Sequence, residues 1–381
     1  MSIIDQAKQQ AIIVLKHCAK PVGFFASGLP GGYEALWARD SMVTSLGACL
    51  SSNEFKKTFA KSLELLSENQ SEHGQIPNAV GTYNTDRRSD VTFNSIDSSL
   101  WYLIGEQAYA KSYKDKSLLR KHKKNIESAL TWVQYQDPNE DTLPVQQPTM
   151  DWEDAFPHKY GRTINTQALY YGALIMMGEN KLANHVRRVV DGEIEKYLSL
   201  YDQKLGYYLP WVWKNHDGDR EQEEWFDTAG NLLAIITGLA TGPISDSILS
   251  HIEKEKIDRP YPCKVIYPAI KPGDKEWHSY FSKCDAREPY AYLNGGVWPF
   301  IGGFYVAALV KTGKFVKAAQ ALEDLALANK QGKRMEWEFN EWLHGETGTP
   351  GPNSTPYQAW SAGSYLFAYE CVRQKRVLFF D

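Results

Sequence analysis

The chain has 381 residues, ample for a large core in one domain or two, and its 42 Lys and Arg against 46 Asp and Glu leave a formal charge of −4. That balance gives no electrostatic case for nucleic acid or an anionic membrane surface, and no segment approaches the roughly 20 apolar residues of a membrane span. Five cysteines, odd in number and without close metal-ligand spacing, read as reduced packing residues of a cytoplasmic protein. The start, MSIIDQAKQQAIIVLKHCAK, lacks the basic stretch and apolar run of a signal peptide. The composition leans aromatic, with 12 Trp, 22 Tyr and 15 Phe. Such rings fill cores, and they also line pockets with flat apolar faces carrying polar edges.

Helical periodicity recurs from end to end and predicts twelve helices, near 3–19, 40–52, 54–70, 96–112, 116–136, 162–178, 180–199, 225–239, 244–255, 297–311, 314–330 and 356–374. Little reads as paired strands. The connections alternate between very short ones, such as Ser52-Asn53 and Thr312-Gly313, and long ones at 71–95, 137–161, 200–224, 256–296 and 331–355. Strict alternation implies helical hairpins whose long loops all emerge at one end. Loops of that length inside a compact domain are usually functional. No fixed period near 34–45 residues suggests a solenoid. The expected architecture is all-α: six helical hairpins in a closed ring, an (α/α)6 toroid, as a single domain over 1–381 with a pocket at the long-loop end.

The motifs follow in chain order. Leu36-Trp37-Ala38-Arg39-Asp40 opens the second helix. Asp40 there is either an N-cap or, with Arg39, a pair able to hold sugar hydroxyls beside Trp37. In Phe93-Asn94-Ser95-Ile96-Asp97-Ser98-Ser99-Leu100-Trp101, three residues favour a helix start, yet Asp97 also has apolar neighbours that would raise its pKa. Met150-Asp151-Trp152-Glu153-Asp154 flanks a tryptophan with three acids and resembles a hydroxyl cradle more than a metal site. Tyr292-Leu293-Asn294-Gly295-Gly296-Val297-Trp298-Pro299 closes the fifth long loop. The last loop carries Glu336, Glu338, Glu341 and Glu346 among Trp337, Phe339, Trp342 and His344. Acids among aromatic rings suit proton chemistry on a sugar-like ligand. No nucleophile elbow, phosphate loop or dinucleotide fingerprint is present.

Taken together, these segments resemble the catalytic toroid of the amylo-α-1,6-glucosidase domains of glycogen debranching enzymes, and are also similar to neutral and alkaline invertases. The matching stretches are Trp37 to Asp40, Gly74 to Asn78, Ser95 to Trp101, Met150-Asp151, Gly161-Arg162 with Asn165 to Tyr170, Asn294 to Pro299, Glu341 to Gly345, and Gln358 to Ser361. The resemblance implies an inverting glycoside hydrolase without cofactor or metal. It assigns Asp97 as the general acid, and Glu341, opening a Glu-x-x-Asp-Gly-like stretch, as the base on water. His344 stands where that pattern has Asp. Trp37, Trp101, Trp298 and Trp342 are expected around the sugar ring, with Arg39, Asp40, Asn94, Asp151, Gln167 and Gln358 on its polar groups. Without the further domains of debranching enzymes, a small α-glucoside is the expected substrate, and sucrose the first alternative. A toroidal sugar isomerase or epimerase would instead use histidines, with His73, His158, His278 and His344 in the long loops, and a sugar-binding protein would need neither acid. The sequence leaves a homo-oligomer open.

Overall fold

The computed structural model describes residues 1–81, 89–214 and 220–381, so parts of the expected long connections 71–95 and 200–224 lie outside the described residues. The helices are α1 (Ile3–Cys18), α2 (Ala38–Ser51), α3 (Lys56–Glu68), α4 (Asp97–Tyr113), α5 (Ser117–Lys121), α6 (Lys123–Gln134), α7 (Ile164–Met177), α8 (Asn180–Val190), α9 (Thr228–Thr237), α10 (Gly242–Lys254), α11 (Pro299–Lys311), α12 (Phe315–Lys330) and α13 (Ala359–Gln374).

Six of them form an inner cycle. α2 packs on α4, α4 on α7, α7 on α9, α9 on α11, α11 on α13, and α13 returns to α2. Each inner helix is enclosed on all sides, as burial patterns show: every residue of α9, and Pro299 through Val310 of α11, is buried. The outer helices bury one stripe only, as amphipathic surface helices do. In α3 that stripe is Phe59, Ser62, Leu63, Leu66 and Ser67, and in α8 it is Ala183, Val186, Val189 and Val190. α1 closes the outside of the ring by packing on both α12 and α13. The expected (α/α)6 toroid is the fold observed.

Two departures from the expected elements have local causes. The helix expected at 116–136 is two, α5 and α6, broken at His122, whose Nδ1 lies 2.6 Å from the buried Glu106 carboxylate. The helix expected at 180–199 ends at Val190. Gly192 turns the chain at φ +81°, and Leu200 then donates back to the Val190 carbonyl at 2.9 Å. Short strands, which the sequence did not announce, tie the long loops together. Leu36–Trp37, Ala79–Val80 and Val91–Thr92 make one three-stranded ribbon, and Trp211–Lys214 lies between Arg162–Thr163 and Arg220–Gln222 in another. Leu36–Trp37, Arg162–Thr163 and Phe226–Asp227 each run straight into an inner helix, so the ribbons fix where α2, α7 and α9 begin. Among the described residues no helix is long and apolar enough to cross a membrane.

Candidate active site

A cavity of about 200 Å3 opens among the long loops and the first turns of the inner helices. Tyr33, Trp37, Arg39 and Asp40 come from the approach to α2 and its first turn. Trp152 and Asp154 come from the loop before α7, Tyr292 and Trp298 from the loop before α11, and Glu341, Gln358 and Trp360 from the approach to α13. In the ring, α7 lies three places from α13. Asp154 and Glu341 therefore reach the one cavity from loops that lead into inner helices three places apart.

Glu341 is buried. Tyr33 Oη donates to its Oε1 at 3.3 Å, the Thr355 amide to its Oε2 at 3.4 Å, and its own amide donates to the Thr355 carbonyl at 2.9 Å. Loss of water around the carboxyl pushes its pKa up to about 8, with Asp40 and Asp154 adding to the rise and the two hydrogen bonds opposing it. Two of the other acids of that loop have structural partners. Glu338 accepts from the amides of Lys333, Arg334 and Met335, and Glu336 pairs with Lys330 at 3.3 Å. Glu346 is exposed. Trp337 and Phe339 hold φ of +66° and +46°, conformations that cost about 1–3 kcal/mol each. The backbone offsets this with bonds from Tyr357 to the Glu338 carbonyl at 2.6 Å and from Gln358 to the Phe339 carbonyl at 3.0 Å.

Asp154 lines the cavity as an exposed residue with protein close around it. That crowding pushes its carboxyl up to about 6; Asp151 and Asp97 reinforce the shift and Arg39 opposes it. Asp40, buried in the first turn of α2, rises to about 6 chiefly through desolvation, against the Arg39 guanidinium 3.7 Å away. Trp152 stands edge-on to Trp298 and to Phe300 at 5.5 and 5.1 Å, and Trp360 stacks on Phe300 at 4.4 Å, giving the cavity a rigid aromatic floor. Among the described residues, both amide atoms of Gln358 and the indole nitrogens of Trp152 and Trp360 are buried with no partner in the protein. Buried polar groups left so are costly, and these belong to the wall of the cavity.

Of the expected site residues, Trp37, Arg39, Asp40, Trp298, Glu341 and Gln358 line the cavity. Asp97 does not. It has no exposure, and lies behind Arg39, which contacts both its oxygens at 3.2 and 3.4 Å, while Ser95 also donates to it. Burial raises its pKa, the cue read from its apolar neighbours, and Arg39, which does line the cavity, opposes the rise. Asp151 turns away onto Lys159 at 3.0 Å, and Asn94 is exposed. Trp101 is core, stacked on Phe304 at 6.2 Å. Gln167 donates to the Pro144 carbonyl, and Trp342 packs behind Tyr292. Tyr33, Trp152, Asp154, Tyr292 and Trp360 were not singled out as contacts; the signal for Asp154 was its place in the acid-flanked tryptophan segment. Among the described residues no histidine lines the cavity, and no group of His, Cys, Asp and Glu is arranged to hold a metal ion. Two larger grooves beside α10 and α12 contain charged side chains and none of the buried unpartnered polar atoms.

A ring of six helical hairpins around a sugar-sized cavity of carboxylates and indoles is one of the architectures on which glycoside hydrolases are built. The amylo-alpha-1,6-glucosidase family model matches residues 9–203, and the chain belongs to that family. The alkaline and neutral invertase model matches residues 188–375. Among curated proteins, the chain is 26% identical over 324 residues to "Probable alkaline/neutral invertase D" of Arabidopsis thaliana, covering 72% of this chain and 59% of that one. It is 34% identical over 148 residues to "Cytosolic invertase 1" of Oryza sativa subsp. japonica, 38% of this chain and 25% of the relative. The chain thus spans less than two thirds of the length of these relatives. Among solved structures, the GH63 mannosylglycerate hydrolase from Thermus thermophilus in complex with glucose shares the fold at 14% identity, with a TM-score of 0.68 over 94% of this chain and 99% of that one. A rhamnosidase from Klebsiella oxytoca shares it at a TM-score of 0.64 and 14% identity, over 97% of this chain and 64% of the other.

Proposed function

We propose that this chain is an inverting glycoside hydrolase that takes one terminal sugar residue of a small glycoside into the cavity, with Asp154 as general acid and Glu341 as general base. The observation that carries the reading is that these two carboxyls, from loops leading into inner helices three places apart, line one cavity. An inverting enzyme protonates the leaving oxygen from one side of the sugar and activates water on the other. Asp154 would donate to the glycosidic oxygen, Glu341 would take a proton from water, and the water oxygen would bond to the anomeric carbon as the glycosidic bond breaks. A volume of about 200 Å3 is below the roughly 300–1,000 Å3 of pockets for drug-sized ligands and suits a single ring. The indoles of Trp152 and Trp360 and the Gln358 amide supply donors and acceptors for hydroxyls, as does Asp40 held by Arg39. Asp97, the general acid that the family resemblance implies, stands beside Arg39 and is the second candidate for that role.

The invertase names of the curated relatives favour sucrose as the first substrate to try, with small α-glucosides beside it. Carboxylates rather than histidines line the cavity among the described residues, which favours a hydrolase over a histidine-based isomerase. We also read residues 1–381 as one domain, and place the protein in the cytoplasm, in line with the name of the rice relative.

The test is release of reducing sugar from sucrose and α-glucosides, with the anomeric signals followed by proton NMR in the first minutes. An α-glucoside should yield β-glucose first. Asp154→Asn and Glu341→Gln should each lower turnover by about 10²–10⁴-fold. First release of α-glucose, or full activity in either variant, would refute the assignment.

A further inference from the structure

Tyr292 lines the cavity from the loop before α11, and its backbone lies in the left-handed region at φ +45°. A tyrosine rarely adopts that conformation, and where it does the surroundings impose it. Here three residues do so. The carbonyl of Tyr292 accepts the indole Nε1 of Trp298 at 3.0 Å and the Gly296 amide at 3.1 Å. A Cβ on Gly296 would stand 2.4 Å from that oxygen, so a side chain there would keep the amide away. The buried side chain of Asn294 staples the turn to the rest of its loop. It accepts the Ile270 amide at 2.8 Å and donates to the carbonyls of Ile270 and Ala286 at 2.7 and 2.9 Å. The Tyr292 ring then packs against Trp298 and Trp342, with centroids at 5.2 and 6.0 Å.

What this arrangement presents is a hydroxyl. Buried phenols usually find a partner in the protein, and the tyrosines of the core do: Tyr102 with Ser67, Tyr208 with Asp191, Tyr207 with the Glu224 carbonyl and Tyr365 with the Ile4 carbonyl. In the cavity wall, Tyr33 donates to Glu341. Among the described residues no protein group takes the hydroxyl of Tyr292, although Glu341, Asp154 and Arg39 lie within electrostatic reach of it. Burial and the nearby acids push its pKa well up, so it stays protonated and able both to donate and to accept.

We propose that Tyr292 is a specificity-determining residue: its strained backbone and indole buttress aim the phenol at one hydroxyl of the sugar in the cavity and so select the configuration at that carbon. This rests on the reading of the cavity as the sugar site with Glu341 as base, and it is independent of which carboxyl is the acid. Such selection is steep, because a sugar lacking the hydroxyl leaves a buried polar group of the site unpaired. Trp298, expected against the sugar ring, acts through Tyr292 as a positioning residue, its N–H being committed to the Tyr292 carbonyl.

The test uses the full chain and the glycoside found active, beside monodeoxy forms that each lack one hydroxyl of the glucosyl unit. Tyr292→Phe removes a single oxygen and leaves the ring in place. Its kcat/KM should fall about tenfold on the complete glycoside and on every analogue but one. On the analogue lacking the partner hydroxyl, the variant and the parent enzyme should agree within about twofold, because the bond is already gone. Trp298→Phe keeps a ring and removes the N–H, so the same analogue should be its least affected substrate. Equal losses of Tyr292→Phe on all the analogues, or no loss on any, would overturn the proposal. Glu341→Gln is the control. If it turns over the glycoside as the parent enzyme does, the reading of the cavity fails instead, and the two failures are distinct.

Discussion

Glu341 and Asp154 depart from ordinary carboxyls in the same direction, and the order of their pKa values makes a pH prediction. On the roles proposed above, the rate needs Glu341 ionised and Asp154 protonated, yet the carboxyl read as the base sits at about 8 and the one read as the acid at about 6. Below pH 6 Glu341 is increasingly protonated and the rate falls; above pH 8 Asp154 is increasingly ionised and it falls again. Between them the product of the two fractions is flat, with about one molecule in a hundred correctly charged. The kcat/KM profile for a glycoside should therefore be a broad bell centred near pH 7. In Asp154→Asn acting on α-glucosyl fluoride only the base remains, so the rate should climb to about pH 8 and stay there. A profile that still falls above pH 8 would mean that another group supplies the alkaline limb. At this scale the sequence was partly legible. Acids among tryptophans directed attention to Glu341, and Trp37-Ala38-Arg39-Asp40 to the cavity wall. Asp97 carried the apolar cue of a working acid, and its burial does raise its pKa. What the pattern could not give was its Arg39 contact, which spans 58 residues of chain.

Helices were more legible than residues, since a period of 3.6 with alternating loop lengths survives errors of several residues at each end. What periodicity could not give was the close contact that joins the last helix to the first inner one. α13 meets α2 through glycines: a Cβ on Gly47 would stand 1.8 Å from the Gly363 carbonyl oxygen, and one on Gly363 would stand 2.4 Å from Thr44 Cα. Neither glycine marks a turn, so within a helical pattern each reads only as a mild weakness of about 1 kcal/mol. Gly47→Ala should gain that propensity and lose more, because the obstacle is helix backbone that no rotamer change can move aside. Overpacking of this kind costs about 1–3 kcal/mol or more. Thermal unfolding followed by circular dichroism should show a lower midpoint, and an unchanged or higher one would show that the two helices can part without penalty. The short strands were missed for a different reason. Two-residue pairings such as Phe226–Asp227 with Ile266–Tyr267 carry no period of their own.

At the scale of the whole molecule, the two family matches raise a question of division. One ends at residue 203 and the other begins at 188, so they meet around the end of α8, as if two modules had been joined. The ring argues the other way. Its first part holds α2, α4 and α7 and its second α9, α11 and α13, and the parts touch twice, at α7 against α9 and at α13 against α2. α1, from the first part, also packs on α12 and α13 of the second. Cut at residue 200, each part would expose an open edge of inner helices that are buried on every side in the ring, an apolar surface with nothing to cover it. The cavity would be divided too, with Asp154 in one part and Glu341 in the other. The expectation is one cooperative thermal transition for the intact chain, with far-UV circular dichroism and tryptophan fluorescence superimposing. Fragments 1–199 and 200–381 should each fail to fold alone. Two separated transitions, or a fragment with a sharp transition of its own, would mean that the toroid is assembled from independent halves and that residues 1–381 are not one domain.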